Sequence, residues 1–343
     1  MTWRSSLCRR REQFDRVTGR VNPGPNRVKR RMIHQEASAF RHEALPYGTD
    51  TTLIEQVSKF LGPAIDRGEP VLISTRAESL SGLEEAFQGH ARLDLAPMEE
   101  VGRNPGRLIW LWRDFLDRNG AAERTVWGIG EPIYAGRDAA EMVEGQIHER
   151  LLNQAFYGSQ FALHLGCPYD TSSLPGDVIE EMGRSHPFIG GDSRDNDRFQ
   201  SADAGAPPAP LGPALIADDA FAPFDKESLG EMRRGLAAKA RTCGVDETRV
   251  SDLLLAVNEI ATNSIVYAGA GSLGVWQENG RIVCEVRDQG YIGDAMVGRI
   301  RPATSEERGR GIWFAHQVAD LVQFRSAPSG TRWRIMFDCG SRH

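Results

Sequence analysis

The chain predicts an α/β domain, built on a mostly parallel sheet, joined to an α+β sandwich. Three observations carry that expectation. Over residues 40–189, short apolar runs alternate with stretches of helical periodicity, the grammar of parallel strands covered on both faces. Over 190–214 the composition switches to Gly, Pro, Ala, Ser and Asp, which reads as a flexible linker. Over 215–340, two long helical patterns precede two hairpins, the order expected of helices laid on one face of an antiparallel or mixed sheet.

In the first part, Leu53, Val57, Phe60, Leu61 and Ile65 recur at helical spacing until Arg67-Gly68 ends the run. Val71–Ser74 reads as a short buried strand, and helical patterns follow over 79–88 and 107–118. Val126 to Ile129 and Phe161 to Leu165 are further strands, separated by a helix over 138–157. In the last part, Leu229, Met232, Leu236 and Ala240 share one helical face. Asp246 is placed to cap a long helix reaching about Tyr267, because its carboxylate can accept from the first free backbone N–H groups. Asn279-Gly280 marks a two-residue hairpin turn, and Ile282, Cys284 and Val286 alternate with polar residues on the strand after it. A helix near 311–321 and a second hairpin turning at Pro328-Ser-Gly330 complete the pattern.

Composition narrows the classes. At 343 residues the chain suits two domains, and no apolar run approaches the length of a membrane span. The stretch before Arg41 lacks the apolar core of a secretory signal. Five scattered cysteines (Cys8, Cys167, Cys243, Cys284, Cys339), never spaced as CxxC, point to free thiols and a cytoplasmic setting. Net charge is −6, yet residues 1–31 carry ten basic against two acidic side chains, leaving the remainder strongly acidic. The arm over 1–39 is expected to be disordered, or to lie partly upstream of a start at Met32. The acidic body argues against a nucleic-acid footprint.

Three blocks in the last part carry chemistry. Glu259 and Asn263 stand four residues apart on the long helix and share a face away from its apolar stripe. An amide oxygen there suits Mg²⁺, and a carboxylate one turn earlier suits a general base. The plain alternative is a solvated helix face. Asp288 ends a buried strand and is followed by Gln289-Gly290, so the carboxylate could accept from an adenine amine while Gly290 admits the ring; a strand-ending turn is the alternative. Gly309, Arg310 and Gly311 close a charged loop beginning at Pro302 and open an apolar helix, an arrangement whose N–H groups can receive phosphate.

Taken in order, these blocks resemble the GHKL superfamily of ATPases and kinases, and within it the anti-sigma-factor serine kinase branch. The phrase from Gly311 to Gln323 and the closing Gly330-Thr331 extend the likeness. The resemblance implies a Bergerat-type sandwich that binds ATP and Mg²⁺. In it Asn263 holds the metal and Glu259 is the catalytic base. Asp288 with Gly290 reads adenine, Thr331 supports that pocket, and Gly309, Arg310 and Gly311 close over the phosphates. Two departures stand out: Ile292 occupies a position that is often glycine, and Tyr267 falls near where many relatives carry a His-Gly pair.

Residues 40–187 resemble the MEDS sensory domain of methanogen and methylotroph regulators. The matching words are Phe40–Tyr47, Gly68–Ile73, Gly128–Arg137, Cys167–Asp170 and Ser185-His-Pro187. That likeness implies a RecA-like fold and a small-molecule ligand. No GxxxxGK[ST] follows the 71–74 strand, however, so phosphate cradling by that route is not expected. Glu144, His148 and Glu149 lie close together on one helical stretch, with Cys167 and His186 downstream. They read either as a metal or reactive-ligand site or as a surface ion cluster with separate structural residues. His42 is equally open, and Trp110, Trp112, Trp127 and Tyr134 read as core or as the wall of an apolar pocket.

The whole then reads as a signalling regulator: an ATP-dependent serine/threonine kinase acting on an anti-anti-sigma (STAS-type) protein, with a sigma factor as a further partner and ligand input from the first domain. A non-catalytic ATP-binding adaptor is the alternative. A histidine kinase lacks its acceptor histidine here, since residues 225–243 contain none, and a DNA-binding regulator lacks a helix-turn-helix. Homodimerisation is implied by the family likeness alone.

Overall fold

The computed structural model describes residues 39–190, 194–200, 211–302 and 309–340. The basic arm therefore lies outside the described residues, as do most of the expected linker and the loop 303–308.

The N-terminal domain runs β1 (Phe40–Tyr47), α1 (Asp50–Arg67), β2 (Val71–Ser74), α2 (Ala77–Ala86), β3 (Leu93–Leu95), α3 (Met98–Val101), α4 (Leu108–Asn119), β4 (Thr125–Gly130), α5 (Ala139–Ala155), β5 (Ala162–Asp170), α6 (Gly176–Ser185), β6 (Phe188–Ile189) and β7 (Arg194–Asp195). The sheet order is β3-β2-β4-β5-β1-β6-β7, with the first six strands parallel and β7 antiparallel to β6. Helices cover both faces. Leu53, Val57 and Leu61 of α1 and Leu83 of α2 pack with Ile73 and Ile129 on one side. Trp112 and Phe115 of α4, Leu151 of α5 and Met182 of α6 pack with Leu163 and Leu165 on the other.

Local sequence sets the helix ends. Thr49 and Thr52 form a reciprocal capping box at the start of α1, and Gly68 closes it in the left-handed region at φ 61°. Asp138 and Glu141 make the same box at the start of α5. Part of the stretch read as linker belongs to this domain: β7 pairs with β6, and Phe199 is buried.

The C-terminal domain follows with β8 (Ala222–Phe224), α7 (Leu229–Thr242), α8 (Glu247–Ala268), β9 (Gly271–Glu278), β10 (Arg281–Asp288), α9 (Arg310–Val318), β11 (Leu321–Ala327) and β12 (Gly330–Asp338). Its antiparallel sheet has the order β11-β12-β10-β9-β8. Asp246 caps α8 by accepting from Thr248 N at 2.9 Å. The β9–β10 turn places Asn279 at φ 48° and Gly280 at φ 73°, the mirror-image turn that matches strand twist. Leu236 and Ala240 of α7, Leu253, Val257 and Ile260 of α8 and Ile312 of α9 pack with Ile282, Cys284, Val286 and Ile335 to form the core.

The two domains belong to one compact unit, and hydrogen bonds and ion pairs run between them. Asn104 Nδ2 and Arg107 Nε both donate to the His316 carbonyl at 2.9 Å, and the Arg107 guanidinium also donates to Ala319 O at 2.6 Å. A cation there satisfies the open carbonyls and the negative end of α9. Arg281 of β10 reaches Asp138 and Glu141 at the head of α5, both at 2.5 Å.

Candidate functional site

The expected nucleotide residues lie along α8 and the ends of the strands beside it. Ser264 and Thr331 are buried, while Glu259, Asn263 and Asp288 are part-exposed on the same side of the sheet. Asp288 ends β10 directly opposite Thr331 of β12. Its carboxylate accepts from Ser264 Oγ at 2.6 Å and from Gly290 N at 2.7 Å. Thr331 Oγ1 donates to Gly290 O at 2.7 Å and lies 2.7 Å from Ser326 Oγ, which accepts from Ile292 N at 2.8 Å. Asp288, Gly290 and Thr331 are therefore one hydrogen-bonded unit, tied to α8 through the residue after Asn263.

Gly311 meets the other end of that face. A Cβ built on it would stand 2.1 Å from Glu259 Oε2 and 3.1 Å from Glu259 Cβ, so α9 approaches α8 there only because position 311 has no side chain. Gly309 precedes α9 at φ 92°, and Arg310 is exposed on its first turn. The structure thus groups Asp288, Gly290 and Thr331 at one place and Glu259 with Gly311 at another. Asn263 sits between them on α8, one turn from Glu259. A recess of about 610 Å³ is lined in part by Asp288 and Thr331 and by no α8 residue.

These residues suit ATP. A carboxylate has about four acceptor sites and Asp288 uses two of them internally, leaving room for an exocyclic amine. The added Cβ contacts at Gly290 (2.9 Å to Asp288 Oδ1) and Gly311 (2.1 Å to Glu259 Oε2) show backbone drawn close to both carboxylates.

Sequence reading missed the segment between β10 and α9. Met296 is buried in the core of the N-terminal domain. Arg299 and Arg325 each donate to Glu144 of α5 at 2.9 Å, and Arg301 lies 5.5 Å over the rings of Trp110 and Trp313. Only the arginine content of the segment could have hinted at this, because the acceptor stands some 150 positions away.

The residues singled out in the first domain separate. Glu144 faces the arginines, whereas Glu149 lies with His42, Cys167 and His186 on the opposite side of α5. His148 is buried within electrostatic reach of Glu149, His42 and Arg299, its Nδ1 without a hydrogen-bond partner. All are too buried for a surface ion cluster. Trp112 and Trp127 are core residues, Trp110 serves the domain contact, and Arg137 lies over Tyr134. Beyond β2, where a P-loop would cradle phosphate, stands the buried carboxylate of Glu131, which accepts from Tyr47 Oη at 2.6 Å and Arg76 N at 3.2 Å.

Residues 41–187 match the family model for the methanogen/methylotroph DcmR sensory (MEDS) domain, and residues 222–337 match that for the histidine kinase-like ATPase domain. No curated protein matches the chain. One solved structure with partial likeness is the Acinetobacter baumannii histidine kinase AdeS. It shows 13% identity over 35% of this chain and 68% of that one, with a TM-score of 0.21, too low to carry an argument. Among the described residues no helix is long and apolar enough to cross a membrane.

Proposed function

From a chain that joins a MEDS domain to a histidine kinase-like ATPase domain, we propose an ATP- and Mg²⁺-dependent protein kinase of the anti-sigma-factor type, phosphorylating serine or threonine on an anti-anti-sigma (STAS-type) protein. The observation that carries it is the convergence on α8: Asp288 tied through Ser264 at one end, Glu259 against Gly311 at the other, Asn263 between. Sequence context favours serine over histidine chemistry. The first helix of the ATPase domain, α7, contains no histidine, and among the described residues no α-helix lies between β7 and α7 to form a phospho-acceptor hairpin.

In this reading Asp288 fixes the base, with Thr331 and Gly290 holding the loop at its edge. The Asn263 amide oxygen would hold Mg²⁺, which would offset phosphate charge. Bound ATP supplies the phosphoryl group. Glu259 takes the proton from the incoming hydroxyl, and the N–H groups at the start of α9, with Arg310, hold phosphate oxygens. Catalysis of this kind rests on position and charge more than on covalent chemistry by the protein. Ligand input from the first domain reaches the site through Glu144 and the two arginines it holds.

The test uses labelled ATP, Mg²⁺ and STAS-type proteins with the full chain. Transfer to a serine or threonine, abolished by Asn263→Ala and strongly reduced by Glu259→Gln, is expected. ATP binding with no transfer to any such partner sinks the kinase reading and leaves an adaptor. Transfer unchanged in Glu259→Gln removes the base.

A further inference from the structure

Four side chains that the nucleotide site does not use meet inside the first domain. His42 comes from β1, Cys167 from the adjoining β5, Glu149 from α5, and His186 from the residue ending α6. None is more than 1% exposed, and one ligand atom from each lies within 4.8 Å of all the others. His42 Nε2 is 2.9 Å from Glu149 Oε2 and 3.3 Å from Cys167 Sγ, and His186 Nε2 is 3.1 Å from the same carboxylate oxygen.

The outer partners decide what this cluster holds. Asn153 Nδ2 donates to Ser185 O at 2.8 Å, which turns its Oδ1 toward His42 Nδ1 at 3.2 Å. His42 therefore carries its proton on Nδ1. His186 Nδ1 lies 3.0 Å from Met182 O, which can only accept, and 3.0 Å from Ser185 Oγ, which is placed to donate to Glu181 O at 3.1 Å; this arrangement favours the Nδ1–H tautomer for His186 as well. Both Nε2 atoms then present lone pairs to the Glu149 carboxylate, and that of His42 also faces the Cys167 sulfur. Donor lone pairs gathered around a carboxylate repel one another, and Glu149 Oε1 is additionally without a hydrogen-bond partner. A positive centre belongs among them.

We propose that His42, Glu149, Cys167 and His186 form a closed, four-coordinate site for a divalent metal of the Zn²⁺ class. Two imidazoles, one carboxylate and one thiolate are the borderline donors that Zn²⁺ accepts in tetrahedral geometry. Ligand–metal distances of about 2.0–2.3 Å place tetrahedral ligands roughly 3.3–3.6 Å apart, so the observed separations need small adjustments of side-chain position only. Each imidazole is oriented by an acceptor on its far nitrogen, as metal-bound histidines are. Four protein ligands leave no open position for water, so the ion holds β1, β5, α5 and α6 together rather than activating a substrate.

The experiment uses the full chain, stripped by chelator and reloaded with Co²⁺ or Zn²⁺. The expected result is stoichiometric uptake, with Co²⁺ giving tetrahedral ligand-field bands and a thiolate-to-cobalt charge-transfer band. Cys167→Ser should lose that charge-transfer band, and the chelated wild type should melt at a lower temperature than the Zn²⁺-loaded form. Because wild-type uptake is read without any variant, a misfolded mutant does not blunt the test. A folded wild type that takes up neither ion, or a thiolate band that persists in Cys167→Ser, overturns the assignment.

Discussion

Glu144 and Arg299 form an ion pair across the two domains at 2.9 Å, with the carboxylate fully buried and the guanidinium 5% exposed. Neither has water to fall back on. Breaking such a pair from one side leaves an uncompensated buried charge, at a cost of about 3–5 kcal/mol. Glu144→Ala is expected to lower the melting temperature and loosen the segment between β10 and α9. Calorimetry and nucleotide titration on the full chain check this, and a melt within error of wild type would show that the pair does not hold the domains.

Gly311→Ala tests the approach of α9 to α8. The new Cβ would meet Glu259 Oε2 at 2.1 Å and the less mobile Glu259 Cβ at 3.1 Å, so the carboxylate must swing away. If Glu259 is the base, phosphate transfer falls on the order of 10²-fold or more, with the fold retained by circular dichroism.

Gly106→Ala probes the domain contact from the other side. Its Cβ would stand 2.1 Å from His316 Nδ1 and 2.6 Å from Cε1, on a ring buried between the domains. Overpacking of this kind costs about 1–3 kcal/mol. Urea unfolding should show a lowered midpoint, or two transitions where wild type shows one.

Acid should weaken the first domain through His164. Burial, with Arg41 nearby, lowers its pKa to about 4 from the ordinary 6.5. The folded state then binds fewer protons than the unfolded chain between those values. This contribution to stability is complete above pH ~6.5 and is lost as pH falls toward ~4, by at most roughly 3 kcal/mol. His164→Leu should flatten that part of the stability–pH curve, measured by denaturant midpoints.

The alternation of strand and helix, the Asp246 cap and the Asn279-Gly280 turn were legible because each is written within a few neighbouring residues. The candidate nucleotide blocks were legible for the same reason, as short words on single elements. The links that bind them were not. Ser264 carries no periodic signal that would mark it as the partner of Asp288. Nor could spacing along the helix separate Glu144 from Glu149, which serve opposite sides of α5. His42 and Cys167 become neighbours only because β1 inserts beside β5, an outcome of strand order that no local pattern encodes.

That placement gives α5 a mechanical character. Asp138, Glu141 and Glu144 along its first half are gripped by arginines of the ATPase-like domain, and Glu149 on its second half is rooted in the interior of the first domain. A stiff rod anchored so differently along its length transmits a tilt or slide instead of absorbing it.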